Sequence, residues 1–155
     1  MQDIPALIKL LEEAHQRSIY ADVCGVDIGL ATDLLSQGIW ASKFDGSNSF
    51  ARVSETDGTV EGFILGMAVP LYLIGDKLMV SDLFWLCSER VDPKDPIKLM
   101  KSLIEWGEQL PDVVEIRCGA TPVIQSPEKA SRLLKHLGME PYGEFFKKEV
   151  KACPA

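Results

Sequence analysis

Several things this chain lacks narrow its chemistry before any motif is considered. It has two histidines, His15 and His136, and four cysteines at 24, 87, 118 and 153. No cysteine pair has CxxC spacing and neither histidine lies near a cysteine in sequence, so no zinc site is expected. There is no run of 18 apolar residues, and no charged n-region followed by an apolar stretch at the start. The expectation is a soluble, cytoplasmic protein with reduced thiols and no membrane partner. Basic residues are also short: 16 Lys and Arg stand against 23 Asp and Glu, a net charge of −7. Such a field repels a phosphate backbone, so nucleic acid is not an expected partner. The densest basic cluster, Lys147, Lys148 and Lys151, surrounds Glu149 and reads as charge on an edge strand. Repeats, linkers and low-complexity runs are absent as well.

What is present is the composition of a globular domain. The 155 residues are 46% hydrophobic and 25% charged, enough for one domain spanning residues 1–155 that holds a core without metal or disulfide.

Apolar residues at Ile4, Leu7, Ile8, Leu11 and Ala14 follow a helical stripe, with Asp3 and Pro5 at its start. A second helix is predicted over residues 27–36, ended by Gly38. From residue 50 the period becomes two. Strands are predicted at 50–53, 60–69 and 78–87, joined by turns at Thr56–Thr59, which contains Asp57-Gly58, and at Gly75-Asp76. The second strand is apolar almost throughout and is expected to be buried on both faces. Helical spacing returns at Ile97, Met100, Leu103 and Ile104, after Asp95 and Pro96. A strand at 113–118 follows, then a helix opened by Ser126 and Pro127 and closed by Gly138. Residues 145–150 are predicted to form a terminal strand. The order α-α-β-β-β-α-β-α-β defines a mixed α/β (α+β) class, in which an antiparallel meander meets a parallel pair through a crossover.

This order, the LMKSLIEW helix body at 99–106, the RLLKHLGM helix end at 132–139 and the EPYG and FFK segments at 140–143 and 145–147 resemble the GNAT superfamily of acyltransferases. The resemblance implies a central mixed sheet of six to seven strands flanked by about four helices. It implies an acetyl-CoA-dependent N-acetyltransferase acting on a small-molecule or peptide amine. It also implies that the co-substrate lies against the end of the long strand, at Phe84, Trp85, Leu86 and Cys87, and against the following loop and helix start, at Arg90, Lys94 and Ile97.

That loop, Val91-Asp92-Pro93-Lys94-Asp95-Pro96, departs from the family's glycine-rich pattern. It contains no glycine, two prolines that remove donors, and two acidic side chains. The family's tyrosine acid falls on Leu134, which carries no proton, and Tyr142 lies beyond the helix. Asp82 interrupts an apolar strand, on the face predicted for Val80 and Phe84, and is the candidate general base; a hydrogen-bonded structural carboxylate is the commoner reading of such a residue. His15 and His136 read as surface residues, Trp85 and Trp106 as core, Trp40 as edge of core and Cys87 as a buried apolar residue. A second reading stays open: a GNAT-fold binding or assembly module without catalysis, a homodimer if the apolar strand 60–69 forms a seam.

Overall fold

The computed structural model describes residues 3–124 and 126–150. Among these residues four α-helices and four strands follow one another as α1 (Ile4–Gln16), α2 (Ile28–Ala41), β1 (Ser49–Thr56), β2 (Thr59–Pro70), β3 (Leu78–Cys87), α3 (Asp95–Gln109), β4 (Val113–Arg117) and α4 (Pro127–His136), with a 3-10 turn at Leu71–Leu73 between β2 and β3. The strands form one sheet in the order β1-β2-β3-β4. The first three run antiparallel, and β4 pairs parallel to β3 after the α3 crossover. Asp57 and Gly58 both have positive φ, 51° and 76°, which lets a two-residue turn match the twist of the β1–β2 hairpin.

Each face of the sheet buries its own cluster. Ile64, Ala68 and Val80 pack against Leu99, Met100 and Leu103 of α3 and Leu134 of α4. On the opposite face Phe63 and Leu65 pack against Leu7 and Leu10 of α1 and Leu35 of α2. The alternation along β2 feeds both clusters, so this strand is interior, as its unbroken apolar run predicts. Flanked by β1 and β3, it offers no seam to a second copy.

Three expectations are corrected. The second helix does not stop at Gly38 but runs to Ala41. A Cβ at Gly38 would lie 2.8 Å from Leu65 Cδ1, so the glycine is the point where α2 touches β2. The sheet has four strands among the described residues, not six to seven. Residues 145–150 form no strand: Phe145 is 92% and Phe146 90% exposed. Strand propensity needs a ladder partner to be realised. From this segment the Lys147 ammonium lies 5.7 Å from the Tyr20 ring, and just before it the Tyr142 and Tyr72 hydroxyls meet at 2.9 Å.

Candidate functional site

The site begins where two strands stop pairing. The last β3–β4 partners are Ser81 and Arg117. Beyond them β3 continues to Cys87, while β4 ends at Arg117 and residues 118–121 take no part in the ladder. At the vertex, the Gly119 N–H donates to Asp82 Oδ1 at 3.2 Å.

A bulge reshapes β3 at the same point. Leu65 pairs with Phe84 but Gly66 pairs with Asp82, leaving Leu83 as the extra residue. Val80 therefore lies in the α3-side cluster while Phe84 packs with the α1–α2 cluster. The expectation that Val80, Asp82 and Phe84 share one face is corrected: Asp82 stays with Val80, opposite Gly66, and the bulge turns Phe84 over. A period-two reading has no means of seeing an inserted residue.

The bulge and the parted strands open a cavity of about 550 Å³. Leu11, Ala14 and His15 of α1, Leu30 and Leu34 of α2, residues 82–86 of β3 and Thr121, Val123 and Ile124 after β4 form its walls. The lining is mainly aliphatic and aromatic, with a few polar groups among it, the usual make-up of a small-molecule site. Burial pushes the Asp82 carboxyl above its ordinary range, opposed by the Gly119 N–H. Among the described residues no Lys or Arg pairs with it. A carboxyl with a raised pKa in an apolar cavity marks a candidate functional group.

His15 was expected at the surface, and the structure places it in the cavity wall. Its Nε2 lies 2.7 Å from the Cys24 carbonyl, so that nitrogen donates and, in the neutral ring, Nδ1 keeps its lone pair. Its signal in the sequence is its spacing: it follows Leu11 by four, on the flank of the apolar stripe.

The remaining candidates separate into two groups. Asp82, Phe84, Trp85 and Leu86 come together in the cavity wall. Ser88 N–H donates to the Glu61 carbonyl of β2, so by the alternation of the ladder Trp85 and Cys87 turn their peptide groups to the open side. Arg17 Nη2 reaches the Cys87 carbonyl from that side at 3.3 Å. The Cys87 thiol is half-buried and pushed up to about 12 by burial, then by Asp95, so it is no nucleophile.

Arg90, Lys94 and Ile97 lie away from the cavity. Arg90 Nε donates to buried Glu61 at 3.0 Å and its Nη2 to Glu13 at 3.1 Å. Ser88 Oγ also donates to Glu61, and together these contacts hold the Glu61 carboxyl below its usual range. Lys94 is exposed and Ile97 half-buried in the first turn of α3. Around that turn two backbone donors are turned inward and one is missing: Lys94 N–H donates to Asp92 Oδ1 at 2.8 Å, Asp95 N–H to the Asp92 carbonyl at 2.9 Å, and Pro96 has no N–H, which leaves the Ile97 N–H. Asp95 is buried, held by Ser54 Oγ and by Lys98 Nζ at 2.7 Å.

Of the other residues, Leu134 is core and Tyr142 is exposed against Tyr72 and Arg117. Trp106 packs beside Phe50, their ring centroids 5.3 Å apart. Trp40 is not at the edge of the core but 60% exposed, set edge-on to Phe44, while its neighbour Ile39 takes the face of α2 that packs on the sheet. Among the described residues no cluster is arranged to hold a metal and no helix is long and apolar enough to cross a membrane.

No family model matches the chain, and no curated protein matches it in sequence. Solved structures do match, over nearly the whole length. A ribosomal-protein-alanine N-acetyltransferase from Brucella melitensis biovar Abortus 2308 has a TM-score of 0.66 over 97% of this chain and 94% of that chain, at 14% identity. An acetyltransferase from Trypanosoma brucei has a TM-score of 0.67 over 96% and 94%, at 11% identity. AAC(6')-Iy, solved in complex with the bisubstrate analogue CoA-S-monomethyl-acetylneamine, has a TM-score of 0.64 over 96% and 93%, at 15% identity. The likeness is one of fold: the chain has the mixed α/β fold of the GNAT acetyltransferases.

Proposed function

We propose that this protein is an N-acetyltransferase that moves an acetyl group from acetyl-CoA to an amine. The observation that carries the reading is the parting of β3 and β4 with Asp82 at its vertex, in the wall of a mainly apolar cavity. Neighbours of the same fold include acetyltransferases, one of them holding a CoA-linked bisubstrate analogue. The open peptide group of Trp85 and the Cys87 N–H suit the amide-bearing arm of such a donor, as an added strand would; the Cys87 carbonyl is met by Arg17.

The chain's own groups account for the acceptor side. An ammonium entering the cavity meets two carboxylates, Asp27, which caps α2 by accepting from the Leu30 N–H, and Asp82, which lies at the vertex of the parted strands. Transfer of its proton to Asp82 leaves a neutral amine with its lone pair facing the acyl carbon. Attack forms the C–N bond, the C–S bond breaks, and the leaving sulfur takes the proton given up by the nitrogen. Holding both partners between two strands contributes by proximity, and a peptide N–H on the open edge stabilises the developing oxyanion. The aliphatic walls favour an amine on an apolar body.

The test is acetylation of a panel of primary amines, read by mass spectrometry of the products. Wild-type protein is expected to acetylate at least one apolar amine above the uncatalysed rate, and Asp82→Asn to lose most of that activity. Absence of any product, with no heat on titrating acetyl-CoA at millimolar concentration, refutes the reading. It would leave the second one, a binding module without catalysis, which the occupied donors at the start of α3 favour.

A further inference from the structure

The two halves of a CoA thioester meet very different surroundings in this protein. The pantetheine half has an open strand edge and a cavity. The diphosphate half would fall at the start of α3, and the residues there do not fit it.

A helix N-terminus attracts phosphate through free N–H groups and the positive end of the dipole. Here Pro93 and Pro96 have no N–H, and the Lys94 and Asp95 N–H groups are bound to Asp92. The Asp92 carboxylate therefore sits where an anion would and supplies the negative charge the dipole favours. Nearby cations are committed too: Arg90 to Glu61 and Glu13, Lys98 to Asp95, and Arg17 to Glu89 at 3.7 Å. Lys94 stands free of a carboxylate among the described residues, exposed beside Asp92 and Asp95. A diphosphate placed here gains one flexible lysine and faces two carboxylates.

We infer that this protein recognises its acyl donor through the pantetheine thioester alone, and that the phosphates add nothing to binding. The inference rests on the acyltransferase reading above and specifies its donor: a thioester carried on a pantetheine arm, with or without the nucleotide. The open peptide group of Trp85, the Cys87 N–H and the apolar cavity wall do the recognition, the Cys87 carbonyl being already met by Arg17. The helix that would grip the nucleotide is closed by its own aspartate.

Calorimetric titration of the whole chain with CoA, phosphopantetheine and pantetheine separates the possibilities. The three dissociation constants are expected to agree within about threefold, and the CoA value to stay level as ionic strength rises, because no ion pair is screened. CoA binding more than about thirtyfold tighter than pantetheine and weakening with salt overturns the inference while leaving the acyltransferase reading intact. No heat from any of the three overturns both. A second variant makes the same point from the other side. Asp92→Ala frees the Lys94 N–H and removes a charge from an exposed loop, and is expected to tighten CoA about fivefold with pantetheine unchanged. Equal effects on both ligands, or none on CoA, count against the self-capped helix as the cause.

Discussion

The Asp82 carboxylate and the Gly119 N–H, 37 residues apart in the chain, meet at 3.2 Å at the point where β3 and β4 separate. That bond ties the vertex of the cleft together while leaving the carboxylate in an apolar wall without a cationic partner among the described residues. Stability and activity should pull against each other at this residue.

Burial raises the Asp82 pKa above its unfolded value, so the folded chain keeps this proton over a pH range where the unfolded chain has lost it. Stability from this group is therefore full below the unfolded value near about 3.9 and falls as pH rises through the window up to the raised folded value. Asp82→Asn removes that loss and keeps an oxygen for the Gly119 N–H. It is expected to be more stable than wild type at pH 7, with the two converging in acid, by urea denaturation across pH. In the acetylation assay the same variant should lose about 10²–10⁴-fold in rate, the usual contribution of a general base.

Glu61 behaves in the opposite sense. It is 5% exposed, and the Arg90 hydrogen bond, followed by that of Ser88, holds its pKa below the ordinary value. Its contribution is present above the unfolded value and is lost as pH falls through the folded one. Glu61→Gln should cost about 1–3 kcal/mol at pH 7, the range for leaving buried polar partners unsatisfied. The deficit should shrink as pH drops through the acid range, as chemical denaturation at pH 7 and pH 3 would show.

The thiols should divide by burial. Cys87 and Cys118 are both pushed up to about 12, chiefly by desolvation, whereas Cys24 is exposed. In a Cys153→Ser background, iodoacetamide at pH 8 is expected to label Cys24 rapidly, and Cys87 and Cys118 only on unfolding. Peptide mapping after timed quenching reads the difference. Fast native labelling of Cys87 would show a thiolate that the structure does not support.

Gly66 stands opposite Asp82 in the ladder, and a Cβ there would lie 2.3 Å from Leu103 Cδ1 and 3.2 Å from the Ser81 carbonyl. Gly66→Ala should therefore cost about 1–3 kcal/mol, the range for overpacking a filled core. Thermal or urea unfolding measures it. Because the strain falls beside the bulge, the variant should also weaken donor binding, read by the same calorimetric titration.

Some of this architecture was legible from local pattern. The strand predicted over residues 78–87 has the bounds of β3, Asp57-Gly58 makes the hairpin it promises, and Gly138, at φ 85°, closes α4. The missing N–H groups of Pro93 and Pro96 and the charges of Asp92 and Asp95 were legible too, because both are properties of residue type. The His15 position was within reach of the helical period but read as surface, since periodicity says which face a residue takes and not what that face meets.

The parted strands at Asp82 are where the two levels of information divide. An aspartate breaking an apolar strand is visible in the chain, and the sequence alone determined that some special environment must surround it. Only the tertiary structure decided which environment. The Leu83 bulge depends on pairing with Leu65 and Gly66, the vertex on Gly119, and the commitment of Arg90 on Glu13, 77 residues away. Residues 145–150 make the converse point: they have strand propensity, yet no ladder partner among the described residues takes it up. Local propensity is a property of neighbours in sequence, whereas a cleft, an ion pair or a ladder forms between residues that meet only once the chain has folded.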